Sequence, residues 1–109
     1  MRRIIAILAA TAVLAACADV VPRQMDRGLR SLVGQNIGAA AQRLGPPNQK
    51  LTNYGETTYI WSSDPAALRT QVIRNCLIKI TTDEGGTIRN FVWSGDSGIC
   101  TNYAGALQG

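Results

Sequence analysis

No histidine occurs among the 109 residues. That absence removes the usual proton acceptor of serine and cysteine hydrolases and the commonest ligand of catalytic zinc. Cysteine is scarce as well: Cys17, Cys76 and Cys100 are the only three, too few for a four-cysteine metal site. Aromatic residues make up 6% and charged residues 17% of the chain. The basic excess, +4 overall, is spread along the sequence. It is not interleaved with aromatics in the clusters that mark nucleic-acid binding. Long hydrophobic runs are missing too. The run of uncharged, mostly apolar residues from Ile4 to Leu14 is eleven long, well short of the ~20 apolar residues that span a bilayer. The sequence therefore predicts no nucleic-acid partner, no small-molecule substrate, no metal and no cofactor.

The short apolar stretch follows Arg2 and Arg3 and ends in Leu14-Ala15-Ala16-Cys17, the basic, apolar and small-residue order of a cleaved export signal. The last four residues resemble the lipobox of prolipoprotein signal-peptidase substrates. On this reading residues 1–16 are a lipoprotein signal peptide, and Cys17 is acylated and becomes the first mature residue. Two or more fatty chains, at about 0.8 kcal/mol per buried methylene, would hold the protein stably at a membrane. Ala18 in place of aspartate after the anchor favours sorting to the outer membrane, facing the periplasm.

Removing residues 1–16 leaves nine basic residues against seven acidic ones, a net +2. Arg23, Arg27, Arg30, Arg43, Arg69, Arg74 and Arg89 then read as dispersed, solvated charges. The mature length suits one small domain with a thin core. An exported chain meets oxidising conditions, in which disulfides persist. With Cys17 acylated, Cys76 and Cys100 have only each other. Their bond would close a loop of about 25 residues and contribute roughly 3 to 4 kcal/mol by the chain-entropy estimate.

Hydrophobic period divides the rest. Residues 17–24, including Pro22, read as a lipidated tether, and the folded domain is expected over residues 25–100. Met25, Leu29, Leu32 and Val33 recur at helical spacing and predict a short first helix stopped by Gly34. Asn36 can cap a second helix whose stripe is Ile37, Ala40, Ala41 and Leu44. Gly45 ends it, and Pro46-Pro47 prevent its continuation. Beyond that corner the period becomes two. Asn53-Tyr54-Gly55-Glu56 is a turn before a strand at Thr57 to Ser62. A loop follows through Leu68, then a strand at Val72 to Thr82 with Val72, Cys76, Ile78 and Ile80 on one face. The turn Asp83-Glu84-Gly85-Gly86 leads into a partner strand at Thr87 to Ser94. Counting back from that turn sets Cys76 opposite Ser94. Residues 101–109 read as a loose tail.

Gly95-Asp96-Ser97-Gly98 matches the string around the nucleophile of trypsin-like peptidases. Without a histidine to accept the serine proton it is better explained as a turn. Asp83 and Glu84 supply too few oxygens for calcium, which takes six to eight. No catalytic residues are assigned.

The stretch from Leu32-Val33-Gly34-Gln35 to Leu44-Gly45-Pro46-Pro47, with Tyr54-Gly55-Glu56-Thr57-Thr58-Tyr59-Ile60-Trp61 after it, resembles the SmpA/OmlA (BamE-like) small outer-membrane lipoproteins. The resemblance covers about half of the mature chain. It implies an α+β fold, two short N-terminal helices packed on a three-stranded antiparallel sheet, and a non-enzymatic accessory that binds envelope proteins in outer-membrane assembly or integrity. It also implies that Leu44, Gly45, Pro47 and Trp61 are fold-defining. Tyr59, Trp61, Phe91 and Trp93 are candidates for core or for a partner-binding face, since Tyr and Trp serve both. The alternative function is a periplasmic lipoprotein inhibitor of a secreted or host enzyme, of the lysozyme-inhibitor type. Its surface would be Tyr59, Trp61 and the loop from Ser62 to Leu68.

Overall fold

The computed structural model describes residues 20–64 and 75–108. The expected signal segment, Cys17, the expected loop from Pro65 to Leu68 and the part of the expected strand from Val72 to Arg74 lie outside the described residues. The described chain is α+β, with the order α1 (Val20–Leu32), α2 (Ile37–Leu44), β1 (Gln49–Asn53), β2 (Glu56–Ser62), β3 (Leu77–Thr82), β4 (Ile88–Ser94) and α3 (Ser97–Gln108). The four strands form an antiparallel meander in the order β1-β2-β3-β4. One face of that sheet carries the three helices.

Four features differ from the sequence reading. The sheet has a fourth strand, β1, whose five residues Gln-Lys-Leu-Thr-Asn are all exposed. An edge strand held by backbone pairing to β2 shows no apolar alternation for a sequence pattern to detect. Residues 20–24, expected in a tether, belong to α1, which begins at Val20. Pro22 is tolerated there, since the first four N–H groups of a helix have no intrahelical partner. Of the expected loose tail, 101–109, residues 101–108 instead complete α3, which buries Cys100, Ala104 and Leu107. Finally, Leu77 pairs with Ser94, which places Cys76 just before the strand.

The core is continuous. Met25, Leu29 and Leu32 of α1 and Ala40 of α2 meet Trp61, Ile78, Ile80 and Ile88 of the sheet and Ala104 and Leu107 of α3. α1 packs chiefly against α3. Their closest approach requires Gly28, where an added Cβ would come 2.5 Å from Leu107 Cβ. Both ends of α3 are tied down. Asp96 caps its start by accepting from Ile99 N at 2.9 Å, as N-terminal capping demands. At its other end Arg43 Nη1 donates to Leu107 O at 2.8 Å.

The disulfide joins Cys76 to Cys100 across a Cα–Cα distance of 5.1 Å, and both residues are fully buried. It pins α3 to the strand it covers. At the opposite end of the sheet the link between α1 and α2 docks on the β3–β4 hairpin. There Gly34 N donates to Ile88 O, Ile88 N to Gln35 O and Ile37 N to Gly86 O, at 2.8 to 2.9 Å.

Candidate interaction surface

Strand register decides which side of the sheet each aromatic occupies. Tyr59 pairs with Ile80 and Trp61 with Ile78; Ile80 and Ile78 pair in turn with Phe91 and Trp93. Directly paired residues project to the same face. The four aromatics singled out in the sequence therefore share the face that the helices cover. Trp61 is 1% exposed, and its Nε1–H donates to Gly45 O at 2.8 Å. That bond couples β2 to the glycine that ends α2, so Gly45 and Trp61 lock one corner of the fold. Trp93 Nε1–H donates to Asp26 Oδ1 at 2.7 Å, joining β4 to α1. Phe91 is half-buried against the core. Tyr59 is half-buried near the β1 edge, with Lys50 Nζ 5.6 Å from its ring centroid and the Trp61 ring 6.4 Å away. Trp61 and Trp93 thus act as structural ties, and an open aromatic platform is not formed.

The other face of the sheet carries Leu51, Thr58, Thr81 and Asn90 in one row and Gln49, Ile60, Lys79 and Val92 in the next. Ile60 is buried, whereas Leu51 and Val92 are 58% and 64% exposed. More informative is the turn between β1 and β2. Tyr54 adopts φ 52° there and Gly55 φ 81°, a two-residue hairpin turn with positive φ at both central positions, where Asn or Gly is the usual first residue. A tyrosine held in the left-handed region costs roughly 1–2 kcal/mol. Packing gives no return, because Tyr54 is 97% exposed. Leu51, Asn53, Tyr54, Glu56 and Thr58 line a depression of ≈ 520 Å³ beside it.

Sequence reasoning placed Tyr54 only in a turn. The available signal was a bulky aromatic at a position that favours small polar residues. The turn lies beside Glu84, whose Oε1 would sit 2.5 Å from a Cβ added to Gly55. Both hairpin tips therefore share one end of the sheet. The second tip is rigid. Asp83 accepts from Gly85 N and Thr87 N and pairs with Arg89 at 2.9 Å. The Thr87 amide foremost, helped by Arg89, draws its pKa below the ordinary carboxylate range.

The arginines of α1 are also less dispersed than the sequence suggests. Arg23, Arg27 and Arg30 wall one depression of ≈ 470 Å³ together with Asp26 and Ser31.

No group of three or more metal-ligating side chains occurs among the described residues. Ser97 opens α3 behind its Asp96 cap, which accounts for Gly95-Asp96-Ser97-Gly98 without chemistry. No helix among the described residues is long and apolar enough to cross a membrane. Comparisons with protein-family models, with curated proteins and with solved structures return no match to this chain.

Proposed function

We propose that the chain is a lipid-anchored, non-enzymatic envelope protein. It is held through Cys17 at the outer membrane, faces the periplasm, and binds other envelope proteins as an accessory to outer-membrane assembly or integrity. The SmpA/OmlA resemblance supports this reading, with one strand and one helix beyond the pattern it implies. The observation that carries it is the Cys76–Cys100 bond. Buried disulfides persist in oxidising compartments, and this one leaves Cys17 as the sole remaining cysteine, at the end of the lipobox-like string. The inhibitor alternative fits less well, because such lipoproteins are all-β and three helices cover this sheet.

For partner binding the strained tip at Tyr54 is favoured over the aromatic strand residues. Backbone strain without a packing return is characteristic of functional positions. α1 reaches the hairpin end of the sheet at its C-terminus, through Gly34 and Ile88. Its N-terminus, and any anchor close before it, lies roughly 18 Å away along the helix axis. The Tyr54 tip thus lies at the end of the sheet opposite the start of α1.

Two measurements test the reading. Mass analysis of protein extracted from native membranes is expected to show a diacyl- or triacylated Cys17 as the first residue. In intact cells, a photocrosslinker in place of Tyr54 is expected to give one discrete protein adduct that a crosslinker at the exposed Asn102 does not give. An intact, unmodified amino terminus would refute the anchor, and identical adduct patterns at both positions would refute the tip.

A further inference from the structure

α1 sorts its side chains by angle. At about 100° per residue, Met25, Gly28, Leu29 and Leu32 fall on one side and are buried. Arg23, Arg27 and Arg30 fall within about 60° of one another on the opposite side, and all three are exposed. Among the described residues the acid beside them is Asp26, which is held by the Trp93 indole N–H. None of the three arginines forms an ion pair among the described residues. The first turn of α1 contains no acidic residue, although a helix start favours negative charge. Only Arg23 lies near the helix start, whereas Arg30 sits in the last turn, where the helix dipole favours a cation; the three guanidinium groups are left open to an external anion.

Covalent geometry says where that anion lies, given the proposed acylation of Cys17, on which this inference rests. Val20 is three residues after Cys17, so their Cα atoms are at most about 11 Å apart. The start of α1 is then held close to one screening length, about 8 Å at physiological ionic strength, from the lipid headgroups. The three arginines spread over only about 10 Å of helix axis, and a helix lying along the surface would bring all of them down together.

We propose that α1 lies along the bilayer with Arg23, Arg27 and Arg30 on the phosphates of an anionic phospholipid surface. The anchor supplies attachment, and the stripe supplies orientation. With the buried side of α1 turned toward the rest of the domain, the face bearing Leu51 and Val92 is directed away from the membrane.

Arginine-selective modification by phenylglyoxal, read residue by residue by mass spectrometry, tests this on the full acylated chain. The chain is mixed with phosphatidylcholine vesicles or with vesicles containing about one-third phosphatidylglycerol. Surface attraction corresponds to about fivefold in occupancy per basic residue. Modification of Arg23, Arg27 and Arg30 is therefore expected to slow at least about fivefold on the anionic vesicles and to recover in about 1 M salt, where screening shortens to roughly 3 Å. Arg89, paired with Asp83 on the far hairpin, should react alike on both.

Equal rates for the stripe on the two vesicles would overturn the proposal. Equal protection by inorganic phosphate alone would overturn it too, by assigning the stripe to a free anion. Flotation separates the anchor from the stripe. A chain that fails to float with phosphatidylcholine vesicles refutes the Cys17 anchor, whereas protection that persists on the anionic vesicles still supports the stripe.

Discussion

Leu107→Ala probes the element that the sequence leaves least visible. Leu107 is 1% exposed, sits on α3 three residues after the buried Ala104, and packs against Gly28 of α1. If the C-terminal residues were a solvated tail, truncating this side chain would change stability by less than about 0.5 kcal/mol, as surface substitutions do. If α3 is a third layer of the core, the loss is that of a buried leucine, about 2 to 5 kcal/mol, including the cavity left between α1 and α3. The upper half of that range is expected. Two helices separated by a glycine cannot close further once Leu107 is shortened, and α3 is restrained at one end by Cys100 and at the other by Arg43. A domain of about 90 residues is stable by roughly 5 to 13 kcal/mol, so the variant forfeits a large fraction of that. Urea unfolding of the oxidised protein, followed in parallel by circular dichroism and tryptophan fluorescence, measures the change. With a slope near roughly 1 to 1.5 kcal/mol/M for so small a protein, the midpoint should fall by about 2 M or more. A midpoint within about 0.5 M of the parent would refute a packed α3.

Other substitutions test the rest of the architecture. Removing the disulfide with the paired change Cys76→Ala and Cys100→Ala should cost about 3 to 4 kcal/mol. In a melting experiment that is a fall of more than about 10 °C; an unchanged melting temperature would mean that α3 stays docked without its covalent tie. Tyr54→Asn should raise stability by about 0.5 to 1 kcal/mol, since asparagine accepts the left-handed turn more readily. A urea midpoint that is unchanged or lowered in this variant would contradict strain at Tyr54. Asp83 has a folded-state pKa below its unfolded value, so its contribution is present above the ordinary carboxylate range and is lost as pH falls through the lowered pKa. Asp83→Asn should therefore lower stability in the neutral region and flatten the acid limb of a stability-against-pH curve, with the parent and variant curves converging below the lowered pKa. Superimposable acid limbs for parent and variant would show that the hairpin carboxylate is not coupled to folding.

Local chemistry was legible in the sequence wherever it acts over a few residues. Asn36 caps α2 through its side chain, accepting from Gly38 N, and Gly45 ends that helix with φ 82°. The periods of 3.6 and 2 located α2, β2, β3 and β4, and two cysteines left one pairing. These features depend on backbone sterics and on residues close in sequence, which a linear reading contains. Tertiary structure alone decided the rest. β1 exists because an edge strand is held by its neighbour's hydrogen bonds, which require no apolar pattern of its own. α3 exists because Gly28, a disulfide and Arg43 give a weakly patterned segment somewhere to bury Ala104 and Leu107. Register, which no single strand specifies, turned Tyr59, Trp61, Phe91 and Trp93 toward the helices. It left Tyr54 at the tip and the α1 arginines on the outside, because the side a residue faces is set by what packs behind it.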